Sequence, residues 1–348
     1  MPALRAALFD TLRPGYARLT LPLAEVKPAI FGHAEFTAFQ AQVNAQFERW
    51  RAAQRPAMLG FAQDGHHKAL IEMLSESLLA EFKAAPLVDA YDIYQHLMDY
   101  CAQTLQDDAY LIAAVGWLEG ATPREIRQLK NKEGKLVWPE KEDFRRGRRR
   151  FKSDLVPAAL VIARYFAAER DAIAALESEL AAIEQQLDET REEHGGEDGL
   201  LAEVVDGEGD KQKITAKAVK ARLKEIGKDP DFAEERAALT DYAALLDQQA
   251  DTKAKIKAAQ DALEEKLAER YGTLTEAEVK TLVVDDKWLA TLAAAVQGEL
   301  DRVSQTLTGR IRQLAERYAI PLVRLADKVQ TLSTRVAEHL TKMGAVWN

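Results

Sequence analysis

Cysteine is nearly missing: Cys101 is the single one in 348 residues. One thiol closes no internal disulfide, so packing and hydrogen bonds must hold the fold, as in a reducing compartment. A cytoplasmic location is therefore expected. The spacings C-x-x-C and H-E-x-x-H and the calcium loop are absent, which argues against a metal site. G-x-x-x-x-G-K-[ST] and G-x-G-x-x-G are absent too, so no phosphate-cradling loop is readable. No apolar run approaches the ~20 residues that span a bilayer. The opening MPALRAALFD lacks the charged head and apolar stretch of a secretory signal. No membrane partner is expected.

Glycine and proline are scarce as well, at 18 and 11. Ala, Glu, Leu, Lys and Arg fill the second half, and these are the residues that favour long helices. The expected class is mainly α: a helical body, a long antiparallel helical hairpin resembling a coiled coil, and C-terminal docking helices. The corresponding segments are 1–115, with an irregular lead-in; 116–156, a basic loop; 157–272, the hairpin; and 273–348, the docking helices.

Apolar spacing carries most of this reading. Phe36, Phe39, Val43, Phe47 and Trp50 recur at three and four residues and predict a helix over His33–Arg55, ended by Pro56. A second helix is predicted over Lys68–Ala84. Asp89 suits an N-terminal cap. Ile173, Leu176, Leu180, Ile183 and Leu187 form the seam of one hairpin arm. The other arm covers Phe232–Tyr271, where Gln249, Lys253 and Gln260 interrupt the seam. Between the arms, Gly195 to Lys211 reads as an acidic, mobile tip. Thr275 and Glu278 have capping-box spacing. The helix that follows carries Leu307, Ile311 and Leu314 on its stripe, and the last helix carries Leu325, Val329, Leu332 and Val336. So long a terminal stripe needs a cover, from this chain or another.

Two clusters invite a chemical reading. Leu87–Ile112, LVDAYDIYQHLMDYCAQTLQDDAYLI, gathers Tyr91, Tyr94, His96, Asp99, Cys101 and Asp107. These are acid–base types, but Asp92 and His96 four apart on a helix are ordinarily a solvated pair, and Cys101 reads as a small buried hydrophobe. The stretch is expected to be scaffold. The second cluster is RRGRRRFK: Arg145, Arg146, Arg148, Arg149, Arg150 and Lys152, flanked by Trp138, Phe144 and Phe151. Guanidinium forks match phosphate oxygens and planar rings can stack on bases, so these six are the candidate DNA contacts. Pairing with Glu140, Glu142 and Asp143 is the alternative. The basic helix at 211–224 reads as a solvated face. The net charge of −9 opposes nucleic-acid binding over the whole surface but not at a local patch.

YDIYQHLMDY…QDDAYLI, KSDLVPAALVIARYFAAE and LTEAEVKTLVVDDKWLATLAAAVQGELDRVSQTLTGRIRQLAERYAIPL together resemble the C-terminal half of the methylation subunit of type I restriction-modification systems. In that family a central Rossmann-like domain uses S-adenosylmethionine to methylate adenine N6 in DNA. The resemblance implies a specificity subunit and a restriction subunit as partners, with DNA, and tail helices that dock on the specificity subunit. The family's F-x-G-x-G and [N/D]-P-P-[F/Y] motifs are absent; no two prolines are adjacent. The expectation is a part that holds no cofactor, has no catalytic residue and transfers no methyl group alone. Two other readings stand beside it: a split methyltransferase whose catalytic part is a separate chain, and a stand-alone coiled-coil adaptor without a DNA role.

Overall fold

The computed structural model describes residues 1–14, 16–196, 199–206, 213–319 and 322–344. It is mainly helical, and the chain divides into two units, Met1–Ala114 with Val284–Asn348, and Val115–Val283. The first unit thus joins segments from both ends of the sequence.

The lead-in, expected to be irregular with a short helix or strand, holds more regular structure than that. It contains α1 (Pro2–Leu8), an antiparallel hairpin of β1 (Phe9–Arg13) and β2 (Tyr16–Leu19), and α2 (Val26–Phe31). Next comes α3 (Ala34–Gly60), capped by the His33 imidazole, whose Nδ1 accepts from the Glu35 amide at 3.1 Å. Its predicted face is buried: Phe36, Phe39, Val43, Phe47 and Trp50. The predicted end at Pro56 is wrong, because the helix runs on to Gly60 with the proline inside it. An internal proline costs ~3 kcal/mol. Beyond it Met58 is fully buried, and burying such a side chain returns about 1.5–3 kcal/mol. Helix α4 (His67–Phe82) follows, then α5 (Ala90–Tyr100), where Asp89 accepts from the Tyr91 amide at 2.9 Å as the cap spacing predicts. A π-helical turn, Cys101–Leu105, leads into α6 (Gln106–Val115).

The second unit opens with α7 (Trp117–Ala121). The expected loop over 116–156 contains five short strands: β3 (Arg124–Ile126), β4 (Leu129–Lys130), β5 (Leu136–Val137), β6 (Phe144–Arg146) and β7 (Arg149–Lys152). Strands β3, β7 and β6 form one antiparallel sheet in that order, and β4 pairs with β5. The turn between β6 and β7 explains why a run of arginines folds as a hairpin. Gly147 has φ +61, while left-handed φ among the described non-glycine residues is confined to Asp64 and Leu87. A two-residue turn with glycine first suits the twist of antiparallel strands. A Cβ on Gly147 would meet nothing within 4 Å, so the demand for glycine is conformational.

Helices α8 (Ala158–Tyr165) and α9 (Ala167–His194) come next, then the strand pair β8 (Val205–Asp206) and β9 (Lys213–Ile214), α10 (Ala216–Ile226) and α11 (Ala233–Tyr271). Of the tip expected at 195–211, residues 197–198 and 207–211 lie outside the described residues. Leu201 and Val204 are not exposed tip residues: they join Ile183, Leu187, Val219, Leu239 and Tyr242 in a hydrophobic cluster. Helices α9 and α11 lie alongside one another in opposite directions. Lys266 meets Glu169 at 2.8 Å and Lys253 meets Glu184 at 2.9 Å. The residues that interrupt the apolar seam thus have partners: Gln249 and Lys253 both reach Glu184, and Gln260 reaches Glu177 at 3.4 Å. Polar interruptions of this kind set the register of paired helices.

Helix α12 (Glu276–Lys280) starts with the predicted capping box of Thr275 and Glu278. A π-helical segment, Thr281–Leu289, carries the chain back to the first unit, where α13 (Ala290–Arg317) and α14 (Leu322–Lys342) complete it. Helix α13 packs on α2, α3 and α5, and its Leu292, Val296 and Leu300 are buried.

Candidate functional site

The hairpin β6–β7 alternates its side chains, so the register Phe144↔Phe151 and Arg145↔Arg150 places phenylalanines on one face and an arginine pair on the other. Phe144 stacks on Phe151 at 5.4 Å between centroids and on Tyr271 at 5.2 Å. The Tyr271 hydroxyl donates to the Val156 carbonyl at 2.6 Å. This ring stack attaches the hairpin to the C-terminal end of α11. A cavity of about 370 Å³ lies beside it, lined by Leu118, Pro123, Phe144, Phe151, Tyr271 and Arg146 among others.

The six cations divide into two groups. Arg145 donates to Glu142 at 2.7 Å through Nε, and Arg150 donates to the same carboxylate at 2.9 Å. Lys152 donates to Asp143 at 2.9 Å. Arg146 lies 3.4 Å from Glu265 of α11. Arg148 and Arg149 are exposed and have no ion-pair partner among the described residues. The alternative pairing with Glu142 and Asp143 is therefore present, while Glu140 is taken by Arg124. The flanking rings are occupied as well. Trp138 lies under the Arg150 guanidinium at 4.0 Å, and the two phenylalanines are in the stack. What the hairpin offers outward is a pair of arginines at its turn.

The carboxylates beneath are strongly held. Hydrogen bonding from its own amide and from Arg145 lowers Glu142 to about 2. The Thr275 amide and hydroxyl, with Arg270, lower Glu278 to about 2. A carboxyl whose pKa is depressed on folding stabilises the fold above its unfolded value and loses that contribution as pH falls through the folded one. The second unit should thus weaken between about pH 4.5 and about 2. Urea unfolding followed by Trp138 fluorescence should show its midpoint falling over that window, with a shallower fall for Glu142→Gln. A midpoint independent of pH there would contradict these pairings.

The stretch Leu87–Ile112 holds no free catalytic constellation. Cys101 is buried, and burial pushes its thiol up to about 11. Asp92 and His96 do not pair with each other. Arg302 of α13 donates to Asp92 at 2.6 Å and to the buried Glu299 at 2.8 Å, and His96 lies 3.6 Å from Glu299. Arg302 holds the Glu299 carboxyl below its ordinary range. Sequence reading missed the strongest polar contacts of the first unit. Buried Asp108 accepts from Lys287 at 2.8 Å and from the Trp288 indole at 2.8 Å. Asp285 accepts a two-pronged bond from Arg55, at 2.7 and 2.8 Å. The segment VVDDKW anchors the returning chain on α3 and α6. Its only local signal was two adjacent aspartates beside a lysine in an apolar run.

The candidate docking residues also divide. Leu307 and Leu314 on α13 are exposed, and so are Leu325, Val329, Leu332 and Val336 on α14. Ile311 is not: it is 7% exposed and ends the buried stripe of α13, so it serves the unit's own core. Among the described residues no helix is long and apolar enough to cross a membrane. Comparison of the chain with protein-family models, curated proteins and solved structures finds no match.

Proposed function

We propose that this chain is an assembly and DNA-contacting module of a type I restriction-modification methylation subunit, with no methyl transfer of its own. The observation that carries the reading is the bare face of α14. Leu325, Val329, Leu332 and Val336 follow at steps of four and three residues and are 41–65% exposed. A helix of 21 residues with so sharp a division between apolar and polar sides is a docking helix without its partner. Covering four such side chains supplies roughly 6–12 kcal/mol. Association costs about 4–15 kcal/mol, so α14 alone docks weakly. Exposed Leu307 and Leu314 on α13 would extend the surface.

The partner in this reading is the specificity subunit, whose helices the family's tail helices engage. The restriction subunit joins the same complex. S-adenosylmethionine belongs to the catalytic domain, whose motifs this sequence does not contain. DNA contact falls to the hairpin turn, Arg148 and Arg149, rather than to all six cations of the basic run. Mixing the chain with a type I specificity subunit should give a co-eluting complex in size-exclusion chromatography. Separate elution at micromolar concentrations would overturn the assembly reading. Transfer of labelled methyl groups from S-adenosylmethionine by the chain alone would overturn the non-catalytic one.

A further inference from the structure

The second unit commits many of its cations to carboxylates, and two of its basic elements keep pairs of exposed cations outside those ion pairs. On α10, Arg222 is committed to Glu235 at 2.7 Å, and Lys220 meets Asp247 of α11 at 3.2 Å. Lys217 and Lys224 are exposed and have no ion-pair partner among the described residues. They are seven residues apart, about two helical turns, and so share a face of α10. The helix is held in place independently of them: Thr215 caps it, and Val219 and Ile226 are buried in the hydrophobic cluster.

The two basic elements are tied to one helix. Lys220 fastens α10 to Asp247, and Arg146 fastens the hairpin to Glu265. Positions 247 and 265 differ by 18 residues, about five turns of 3.6, so both anchors lie on the same side of α11 and about 27 Å apart. Between them that side presents Ala250, Ala254 and Ala258, with exposed Asp251 and Asp261. Exposed Lys255 and Lys257 lie on the flanks of that side, so α11 serves as a spacer that carries two cations of its own. The result includes two paired sets of exposed cations, Arg148 with Arg149 and Lys217 with Lys224, on elements anchored to one continuous helix. The separation of the two anchors corresponds to about 8 base pairs at 3.4 Å each.

We infer that the second unit grips duplex DNA at two points, through the hairpin turn and the Lys217–Lys224 face of α10, with α11 setting the distance between the phosphates contacted. A stiff, evenly charged polyanion suits this spacing, since one duplex can reach both points without bending. A chain with a net charge of −9 needs such local patches, because its overall charge opposes phosphate. The inference rests on the DNA-contacting reading above and extends it to α10, which the basic run does not include.

Fluorescence anisotropy on the full chain tests it, with a labelled duplex of about 20 base pairs and a stem-loop of about 6 that cannot span both points. Each phosphate contact contributes about 0.9 to the slope of log affinity against log salt. On the long duplex the slope should lose about 1.8 of its magnitude in both K217Q/K224Q and R148Q/R149Q. On the short stem-loop K217Q/K224Q should change affinity less than about twofold, because one point is engaged at a time. Wild-type slope and affinity for K217Q/K224Q on the long duplex, with loss in R148Q/R149Q, would overturn the second point and leave the hairpin reading standing. No effect of either double substitution, or no duplex binding at about 0.1 mM, the weak end of non-specific affinities, would overturn both. Equal affinity for polyglutamate of matched charge would assign the patches to an acidic protein and overturn the inference as well.

Discussion

Replacing Lys287 with methionine should destabilise the first unit by about 3–5 kcal/mol, the usual cost of leaving one partner of a buried ion pair alone. Asp108 and Lys287 are almost fully withdrawn from water, with side chains 6% and 11% exposed. Burial raises the Asp108 carboxyl, while Lys287 and the Trp288 indole pull it back. Methionine fills the space of the lysine stem but removes its charge, so the carboxylate must stay ionised without its cation or take up a proton. The second route predicts a pH signature. With the folded pKa raised further, the variant's deficit should be smallest at low pH and should grow as pH rises through that folded value. Asp108→Asn in the same chain removes the charge and keeps an acceptor for the indole, so D108N/K287M should regain most of the loss. Urea unfolding of the three proteins at several pH values checks this. A K287M cost below about 1 kcal/mol, in the range of exposed pairs, would mean that the pair is open to water.

The second large effect lies on α14. Substituting L332D and V336D together should abolish co-elution with a specificity subunit. Leu332 and Val336 are 50% and 56% exposed in the chain alone, so the substitutions should leave its own stability within about 0.5 kcal/mol, as surface changes do. In a complex the same positions would be covered. Losing two buried apolar side chains costs about 3–6 kcal/mol, or roughly a hundredfold to ten-thousandfold in affinity. Burying two carboxylates adds to that. Ile311→Asp is the contrasting variant. Its position is inside the first unit, and a carboxylate there should unfold the chain before it tests any partner. Isothermal titration for binding and circular-dichroism melts for stability separate the two outcomes. A large drop in the melt of L332D/V336D would mean that the chain covers this face itself. Unchanged binding would remove α14 from the docking surface.

These two predictions mark where reading the sequence succeeded and where it stopped. The caps at Asp89 and at Thr275 with Glu278 were legible because a helix start depends on residues two and three apart. So were the apolar stripes, since 3.6-residue periodicity is a property of neighbours in the chain. Pro56 was misread because its local cost was offset by the burial of Met58, which depends on packing. The β-sheet at 124–152 was read as a loop. Its strands are short, and their pairing, Arg124 with Lys152 for example, joins residues far apart in sequence.

The basic run shows the same limit in its chemistry. Charge density was visible, and the partners Glu142 and Asp143 were near enough to be named, but their geometry was not. Glu265 lies more than a hundred positions from Arg146, and no local pattern connects them. Buried pairs are still further out of reach, as Asp108 with Lys287 illustrates.

The sequence by itself determined helix starts, helix faces and the presence of a long apolar stripe on the terminal helix, because each follows from intervals of a few residues along one chain. Only the tertiary structure decided which cations are spent on internal carboxylates and which stay exposed, and which leucines of one stripe are core or bare. Those outcomes depend on distance in space and on exclusion of water, and both arise when remote segments pack together.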